Sequence, residues 1–150
     1  MPRIHRVLII GTGSIGERHT RCFLNTGRAD VQICELNRDV RLRVADTYGV
    51  ESHVALEQAL QNPPDIAVIC TPAPLHVPMA RQLVLAGTDV LVEKPLSRNA
   101  QESRQICDIA DTMERKVFIA YVLRFSESLS NFRQALPRAG YLHSVRVESI

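Results

Sequence analysis

Three glycines near the start of the chain have the spacing of a loop that holds phosphate groups. Gly11, Gly13 and Gly16 directly follow the apolar run Val7–Ile10. In this arrangement the first glycine permits a tight turn, the second leaves room for phosphates, and the third lets a helix approach the sheet. The first N–H groups of that helix, at its positive dipole end, then bind negative charge. The pattern therefore predicts a dinucleotide-binding loop.

An acidic residue follows at the distance that such a loop requires. The alternating run Val31–Glu35 ends in Glu35, 19 residues after Gly16. A carboxylate there accepts hydrogen bonds from ribose hydroxyls and repels a 2′-phosphate, which favours NAD over NADP. Arg38 keeps NADP open as an alternative, because an arginine at this point pairs with a 2′-phosphate.

Composition excludes several other classes of protein. The 150 residues carry a net charge of +2, and the basic residues are scattered, so we expect no nucleic-acid partner. No run of 18 apolar residues and no leader pattern occurs, so we expect a cytoplasmic protein without a membrane partner. The four cysteines include no C-x-x-C pair, and we expect no metal site.

Strand-like and helix-like runs alternate along most of the chain. The predicted strands are Val7–Ile10, Val31–Glu35, Ser52–Val54, Ile66–Cys70, Val90–Val92 and Val117–Val122. The predicted helices are Ser14–Asn25, one capped by Asn37 and ended by Gly49, Leu56–Leu60, Leu75–Ala86, and one that begins with a capping box of Asn99 and Glu102. This order predicts an α/β fold, a Rossmann-type doubly wound parallel sheet with its ligand at the carboxyl ends of the strands.

The pattern changes after the sixth strand. A polar helix is predicted over Ser126–Arg138, and Tyr141–Ile150 alternates like a half-buried strand. We therefore predict a dinucleotide-binding domain at residues 1–122. Residues 123–150 are expected to be a linker helix and the first strand of a truncated C-terminal α/β substrate domain. A fragment, a truncated gene and a natural stand-alone module all remain open explanations.

The predicted loops after strands four, five and six complete a set of motifs. They read T-P-x-x-x-H at Thr71–His76, E-K-P at Glu93–Pro95, and an R-F pair at Arg124 and Phe125. Together with the glycine loop, these motifs resemble the Gfo/Idh/MocA oxidoreductase family over about residues 5–125. The family's D-x-x-x-H motif is not found in this sequence, so no catalytic histidine is assigned.

The resemblance implies roles for individual residues. It places Lys94 beside the nicotinamide, where it helps to position or deprotonate the substrate hydroxyl, and it implies a cis peptide bond between Lys94 and Pro95. His76 is expected either to bond backbone at a helix start or to contact the cofactor, and His19 to pack on the first helix. The expected cofactor-binding residues are Gly11, Thr12, Gly13, Ser14, Ile15, Gly16, Glu35, Asn37, Arg38, Cys70, Thr71, Pro72, Leu75, His76, Glu93, Lys94, Pro95 and Arg124.

The leading hypothesis is the cofactor-binding part of an NAD(P)-dependent dehydrogenase that acts on a sugar, polyol or related secondary alcohol. In the complete protein we expect a small-molecule substrate and a homo-oligomer, and we expect this chain alone to bind cofactor with negligible turnover. Two alternatives are a non-enzymatic NAD(H) sensor or assembly module, and a Rossmann domain for S-adenosylmethionine. The E-K-P lysine argues against the last, because methyl transfer has no evident need for it.

Overall fold

The computed structural model describes residues 3–141, 144 and 146. The chain forms two compact units, with the boundary between Ala120 and Tyr121. The first unit holds a six-stranded parallel sheet in the order β3-β2-β1-β4-β5-β6. Its strands are β1 (His5–Ile10), β2 (Ala29–Cys34), β3 (Glu51–His53), β4 (Ile66–Ile69), β5 (Asp89–Val92) and β6 (Val117–Ile119). The order reverses between β1 and β4, which confirms the predicted doubly wound fold.

Helices connect the strands. In the first unit they are α1 (Ser14–Asn25), α2 (Arg38–Tyr48), α3 (Leu56–Ala59), α4 (His76–Leu85), preceded by a 3₁₀ turn at Ala73–Leu75, and α5 (Ala100–Thr112). In the second unit, α6 (Glu127–Ala135) lies between the 3₁₀ turns Val122–Phe125 and Leu136–Ala139. Within the described part of the chain, no helix is both long enough and apolar enough to span a bilayer.

The core lies on both faces of the sheet. Leu8 and Ile10 of β1 belong to one cluster of buried side chains, and Val7 and Ile9 belong to the other. All four side chains are at most 2% exposed. A strand buried on both faces needs a continuous apolar sequence, which is why the central strands lack polar alternation.

One predicted helix cap, at α2, is confirmed, and the one predicted for α5 differs. The Asn37 side chain accepts hydrogen bonds from the backbone N–H groups of Asp39 and Val40, as the sequence predicted for α2. The predicted capping box of α5 is wrong. Asn99 does cap the helix, but its own N–H donates to the Ser97 hydroxyl, and that hydroxyl donates to Glu102. Ser97 thus takes the place that Glu102 has in a capping box.

Several predicted boundaries also shift. β6 ends at Ile119 instead of Val122. Its partner β5 ends at Val92, which pairs with Ile119, so residues after Ile119 have no strand residue to pair with. The predicted helix at 75–86 begins one residue later, after the 3₁₀ turn that contains Pro74. The strand predicted over 141–150 falls mostly outside the described residues. The assignment of 123–150 to a further domain stays a prediction.

Candidate functional site

The glycine loop brings α1 unusually close to the sheet. A Cβ atom at position 16 would lie 1.9 Å from the backbone oxygen of Gly11, so only glycine fits there. Gly11 has φ +80°, and a Cβ on it would lie 3.2 Å from the carbonyl group of Cys70. At Gly13, by contrast, a Cβ would meet nothing within 4 Å. The loop is therefore tightly packed at its two ends and open at its middle glycine.

The start of α1 is left uncapped. Within the described residues no side chain caps α1, whereas Asn37 caps α2 and Asn99 caps α5. The first N–H groups of a helix have no partner within the helix. Those of Ser14 and Ile15, two exposed residues of the first turn, are therefore available to an anion at the positive end of the helix dipole.

Glu35 lies beside this loop, just after the end of β2. Its Oε2 accepts a hydrogen bond from the backbone N–H of Thr12 at 2.8 Å, and its Oε1 accepts one from the N–H of Asn37 at 2.9 Å. An ionised carboxylate has about four lone-pair sites. The Thr12 hydroxyl also donates to Oε2, at 3.4 Å, so Oε1 is the oxygen that retains the capacity to accept another hydrogen bond, such as one from a ribose hydroxyl.

A cleft of about 490 Å³ opens at the carboxyl ends of β1, β2 and β4. Its wall includes the large apolar side chains of Leu36, Val54 and Leu75, which are 77%, 45% and 43% exposed. Exposed apolar side chains of this size provide the surface on which a flat aromatic ring packs. The cleft is lined by Ile10, Gly11, Gly13, Cys34, Glu35, Leu36, Val54, Ala55, Leu56, Glu57, Cys70, Thr71, Pro72, Leu75, Met79 and Gln82.

The structure brings only part of the predicted cofactor set to this cleft. The predicted residues that line it are Gly11, Gly13, Glu35, Cys70, Thr71, Pro72 and Leu75. Those that do not line it are Thr12, Ser14, Ile15, Gly16, Asn37, Arg38, His76, Glu93, Lys94, Pro95 and Arg124. Arg38 is exposed at the first position of α2, and Arg124 lies in the second unit.

Sequence reasoning missed the part of the wall that follows β3. Val54–Glu57 line the cleft because β3 is parallel to β2, so the loops after both strands lie at the same end of the sheet. The rule that ligands lie at the carboxyl ends of such strands provided a signal for this loop. Met79 and Gln82 of α4 were also missed, and their spacing alone gave no comparable signal.

The Glu93-Lys94-Pro95 loop follows β5. The peptide bond between Lys94 and Pro95 is cis, as predicted. Oε1 of Glu93 lies 2.9 Å from Nε2 of His19, and Oε2 accepts the Lys94 N–H at 3.3 Å. A carboxylate only accepts hydrogen bonds, so Nε2 of His19 donates here. His19 therefore contacts the E-K-P loop, which the sequence did not predict.

His76 is buried, with 1% of its surface exposed. Its Nε2 lies 2.7 Å from the carbonyl oxygen of Thr71, and its Nδ1 lies 2.8 Å from that of Pro95. Of its two expected roles, the structure shows the bonding to backbone. Carbonyl oxygens only accept, so both bonds form together only when both ring nitrogens carry a proton. The ring joins the loop after β4 to the loop after β5.

The cysteines near the cleft are poor nucleophiles. Burial, reinforced by the charge of Glu93, raises the pKa of the Cys70 thiol from 9.0 to about 12. Burial and the charge of Glu35 raise the pKa of Cys34 from 9.0 to about 11. Both groups are therefore neutral thiols at ordinary pH. Among the described residues, no three His, Cys, Asp or Glu side chains converge to hold a metal ion.

Comparison with known proteins agrees with the motifs. A sequence model of the oxidoreductase family with an NAD-binding Rossmann fold, Gfo/Idh/MocA, matches residues 5–121. Inositol 2-dehydrogenase of Rhizobium meliloti (strain 1021) is 26% identical over 148 residues, which cover 94% of this chain and 44% of that protein. D-glucoside 3-dehydrogenase of Escherichia coli (strain K12) is 26% identical over 133 residues, which cover 86% of this chain and 38% of that protein. The crystal structure of GenD2 from gentamicin A biosynthesis, in complex with NAD, matches with a TM-score of 0.83 and 26% identity. The match covers 93% of this chain and 40% of that protein.

The chain thus spans less than half the length of these relatives. The family match nevertheless covers well over half of the chain, from β1 to the end of the first unit. The predicted resemblance is confirmed. The chain belongs to the Gfo/Idh/MocA oxidoreductase family, which is defined by its NAD-binding Rossmann fold.

Proposed function

We propose that the first unit binds NAD(H) as the cofactor-holding part of an oxidoreductase that acts on an alcohol carbon of a sugar or polyol. The observation that carries this proposal is the uncapped start of α1 beside Glu35. The backbone N–H groups of Ser14 and Ile15 and one carboxylate provide the complementary chemistry for a diphosphate and a ribose.

The diphosphate and the adenosine of the cofactor would each contact a different surface of the first unit. The N–H groups of Ser14 and Ile15 would bind the diphosphate, for which the open space at Gly13 leaves room. Glu35 would accept the hydroxyls of the adenosine ribose, and its charge favours NAD(H) over NADP(H). The exposed side chains of Leu36 and Val54 would pack on the adenine.

The remaining chemistry concerns the proton of the substrate hydroxyl. The nicotinamide, when bound, accepts or gives a hydride. An alcohol that loses hydride must also lose its hydroxyl proton, and Lys94 would hold or accept that proton. Lys94 is exposed in the loop after β5, at the end of the sheet where ligands of such folds bind. The substrate class follows the inositol and D-glucoside dehydrogenases among the relatives.

We further propose that the protein acts in the cytoplasm and forms a homo-oligomer. All four cysteines are free thiols, which suits a reducing compartment. The edge strand β6 exposes 59% of Phe118, and an apolar side chain on a sheet edge favours association.

The cofactor proposal is tested by titrating the chain with NADH and following nicotinamide fluorescence. Ser14→Pro deletes one N–H of the anion site, and proline is tolerated at the first helical position. The preceding Gly13 has ψ −169°, an extended conformation that a following proline accepts.

We expect saturable NADH binding to the wild-type chain and about 10-fold weaker binding to Ser14→Pro, since one charge-assisted hydrogen bond is lost. The matched control Ser14→Ala keeps the N–H and should bind like the wild type. No saturable signal up to millimolar NADH would overturn the proposal, and equal binding by Ser14→Pro would remove the assigned diphosphate site.

A further inference from the structure

The carboxylate of Glu93 connects two parts of the first unit that are far apart in sequence. Its Oε1 accepts from His19 on α1, and its Oε2 accepts the backbone N–H of Lys94. The His19 and Glu93 side chains are only 18% and 16% exposed. Their contact is therefore shielded from solvent, unlike a surface pair that water screens.

The other neighbour of Lys94 is held as well. The carbonyl oxygen of Pro95 is 2.8 Å from Nδ1 of His76, whose opposite nitrogen contacts Thr71. Lys94 itself is exposed, and within the part of the chain that the structure describes its side chain makes no hydrogen bond. The residues on both sides of Lys94 are thus fixed by histidines from two different helices.

We propose that His19 and His76 are positioning residues for Lys94, an inference that rests on the proposed role of Lys94 beside the cofactor. His19 lies on α1, the helix whose first turn would hold the diphosphate. His76 begins α4 and holds the far side of the loop. Neither histidine touches the reacting atoms. Together they fix the direction in which the Lys94 side chain projects from the loop after β5, relative to α1.

The lysine content of the chain offers a direct probe of this arrangement. Lys94 and Lys116 are the only two lysines. Reductive methylation with ¹³C-formaldehyde converts each lysine to a dimethylammonium group, which keeps the positive charge and gives an NMR signal. Lys116 directly precedes β6, so in a parallel sheet it lies at the opposite end from Lys94 and serves as an internal reference. The N-terminal amine gives a third signal, and Lys94→Arg and Lys116→Arg identify the two lysine signals.

Four variants separate positioning from general effects. His19→Ala removes the donor to Glu93, whereas His19→Gln places an amide N–H at similar reach and should restore it. Arg43→Ala is the matched control, because Arg43 also bonds a glutamate of α1, Glu17 at 2.8 Å, without contacting the E-K-P loop. For the other side of the loop, His76→Gln replaces the two ring nitrogens with a single donor nitrogen.

We expect the cofactor-free Lys94 signal to move or broaden in His19→Ala and His76→Gln, to return in His19→Gln, and to stay unchanged in Arg43→Ala. The Lys116 signal and far-ultraviolet circular dichroism report that each variant is folded. A Lys94 signal in folded His19→Ala and His76→Gln that coincides with the wild type would overturn the proposal.

Adding NADH gives a second readout. The Lys94 signal should respond in the wild type and in Arg43→Ala, and respond less in His19→Ala. If neither the wild type nor any variant binds NADH, the proposed function fails. The positioning by the two histidines is still judged, from the cofactor-free spectra alone.

Discussion

The carboxylate of Glu35 accepts a hydrogen bond from the backbone N–H of Thr12, with 2.8 Å between the two atoms. The same carboxylate accepts the N–H of Asn37 at 2.9 Å. The end of β2, the glycine loop and the start of α2 are thereby joined through one charged side chain. Both the shape of the loop and the charge near the proposed ribose site depend on this residue.

Replacing Glu35 with glutamine should change the choice of cofactor. The amide oxygen can still accept from one backbone N–H, but the negative charge that repels a 2′-phosphate is lost. We expect the ratio of NADPH to NADH affinity to rise by about 10-fold, measured by fluorescence titration with each nucleotide. Asp39→Asn, which removes an exposed charge from the first turn of α2, should leave the ratio unchanged. Equal ratios in Glu35→Gln and the wild type would contradict the assignment.

Alanine at two glycines of the loop should lower the stability of the fold to different extents. At Gly16 the added Cβ would lie 1.9 Å from the backbone oxygen of Gly11, so we expect a loss of at least about 2 kcal/mol in the free energy of unfolding. At Gly13 the Cβ meets nothing within 4 Å, and the cost should stay below about 1 kcal/mol. Gly13→Ala should instead weaken NADH binding. Urea denaturation and NADH titration of both variants provide the check. Similar free energies of unfolding for Gly16→Ala and Gly13→Ala would contradict the prediction.

Loss of the His76 ring should destabilise the fold. His76→Leu leaves two partly buried carbonyl oxygens, those of Thr71 and Pro95, without their donor. We expect the free energy of unfolding to fall by about 2 to 4 kcal/mol in urea denaturation. His5→Leu on β1 is the control, since the His5 ring makes no hydrogen bond among the described residues, and its effect should stay below about 1 kcal/mol. Comparable losses in both variants would argue against the two bonds.

Thiol reactivity should divide the cysteines into two classes. Cys22 and Cys107 are exposed, whereas the pKa of Cys34 is raised to about 11 and that of Cys70 to about 12. With an aromatic disulfide reagent at pH 8, we expect two thiols to react rapidly and two only after unfolding. Rapid reaction of all four thiols in the folded chain would show that the cleft cysteines are accessible.

The same pKa shifts predict a loss of stability at alkaline pH. A thiol whose pKa is raised by folding stays protonated in the folded chain while the unfolded chain loses its proton. Its contribution is therefore complete below the unfolded pKa of 9.0 and is lost as the pH rises towards about 12 for Cys70. The free energy of unfolding should fall more steeply above pH 9 in the wild type than in Cys70→Ala. Parallel curves for the two proteins would contradict the shift.

Local sequence patterns predicted most of the first unit. Apolar runs identified five of the strands, and β3, predicted at Ser52–Val54, is the polar segment Glu51–His53. The helix α1 has the predicted bounds Ser14–Asn25 because a glycine turn precedes it and Gly27 follows it. Strand ends were less predictable. The end of β6 depends on where its neighbour β5 stops, which is a property of pairing between strands and not of residues 117–122 themselves.

The candidate site was most predictable where a motif encodes backbone shape. Gly11 and Gly16 are required by close approach of backbone atoms, so their spacing revealed them. The contact between His19 and Glu93 joins residues 74 positions apart and depends on how α1 packs on the sheet. No local pattern reports such a contact, which explains why His19 was expected only to pack on its own helix.

The most direct test of the central claim is calorimetric titration of the wild-type chain with NADH and NADPH in parallel. The proposed site predicts saturable binding of one NADH per chain, with weaker binding of NADPH because of the Glu35 charge. Absence of binding heat for both nucleotides up to millimolar concentration would contradict the account.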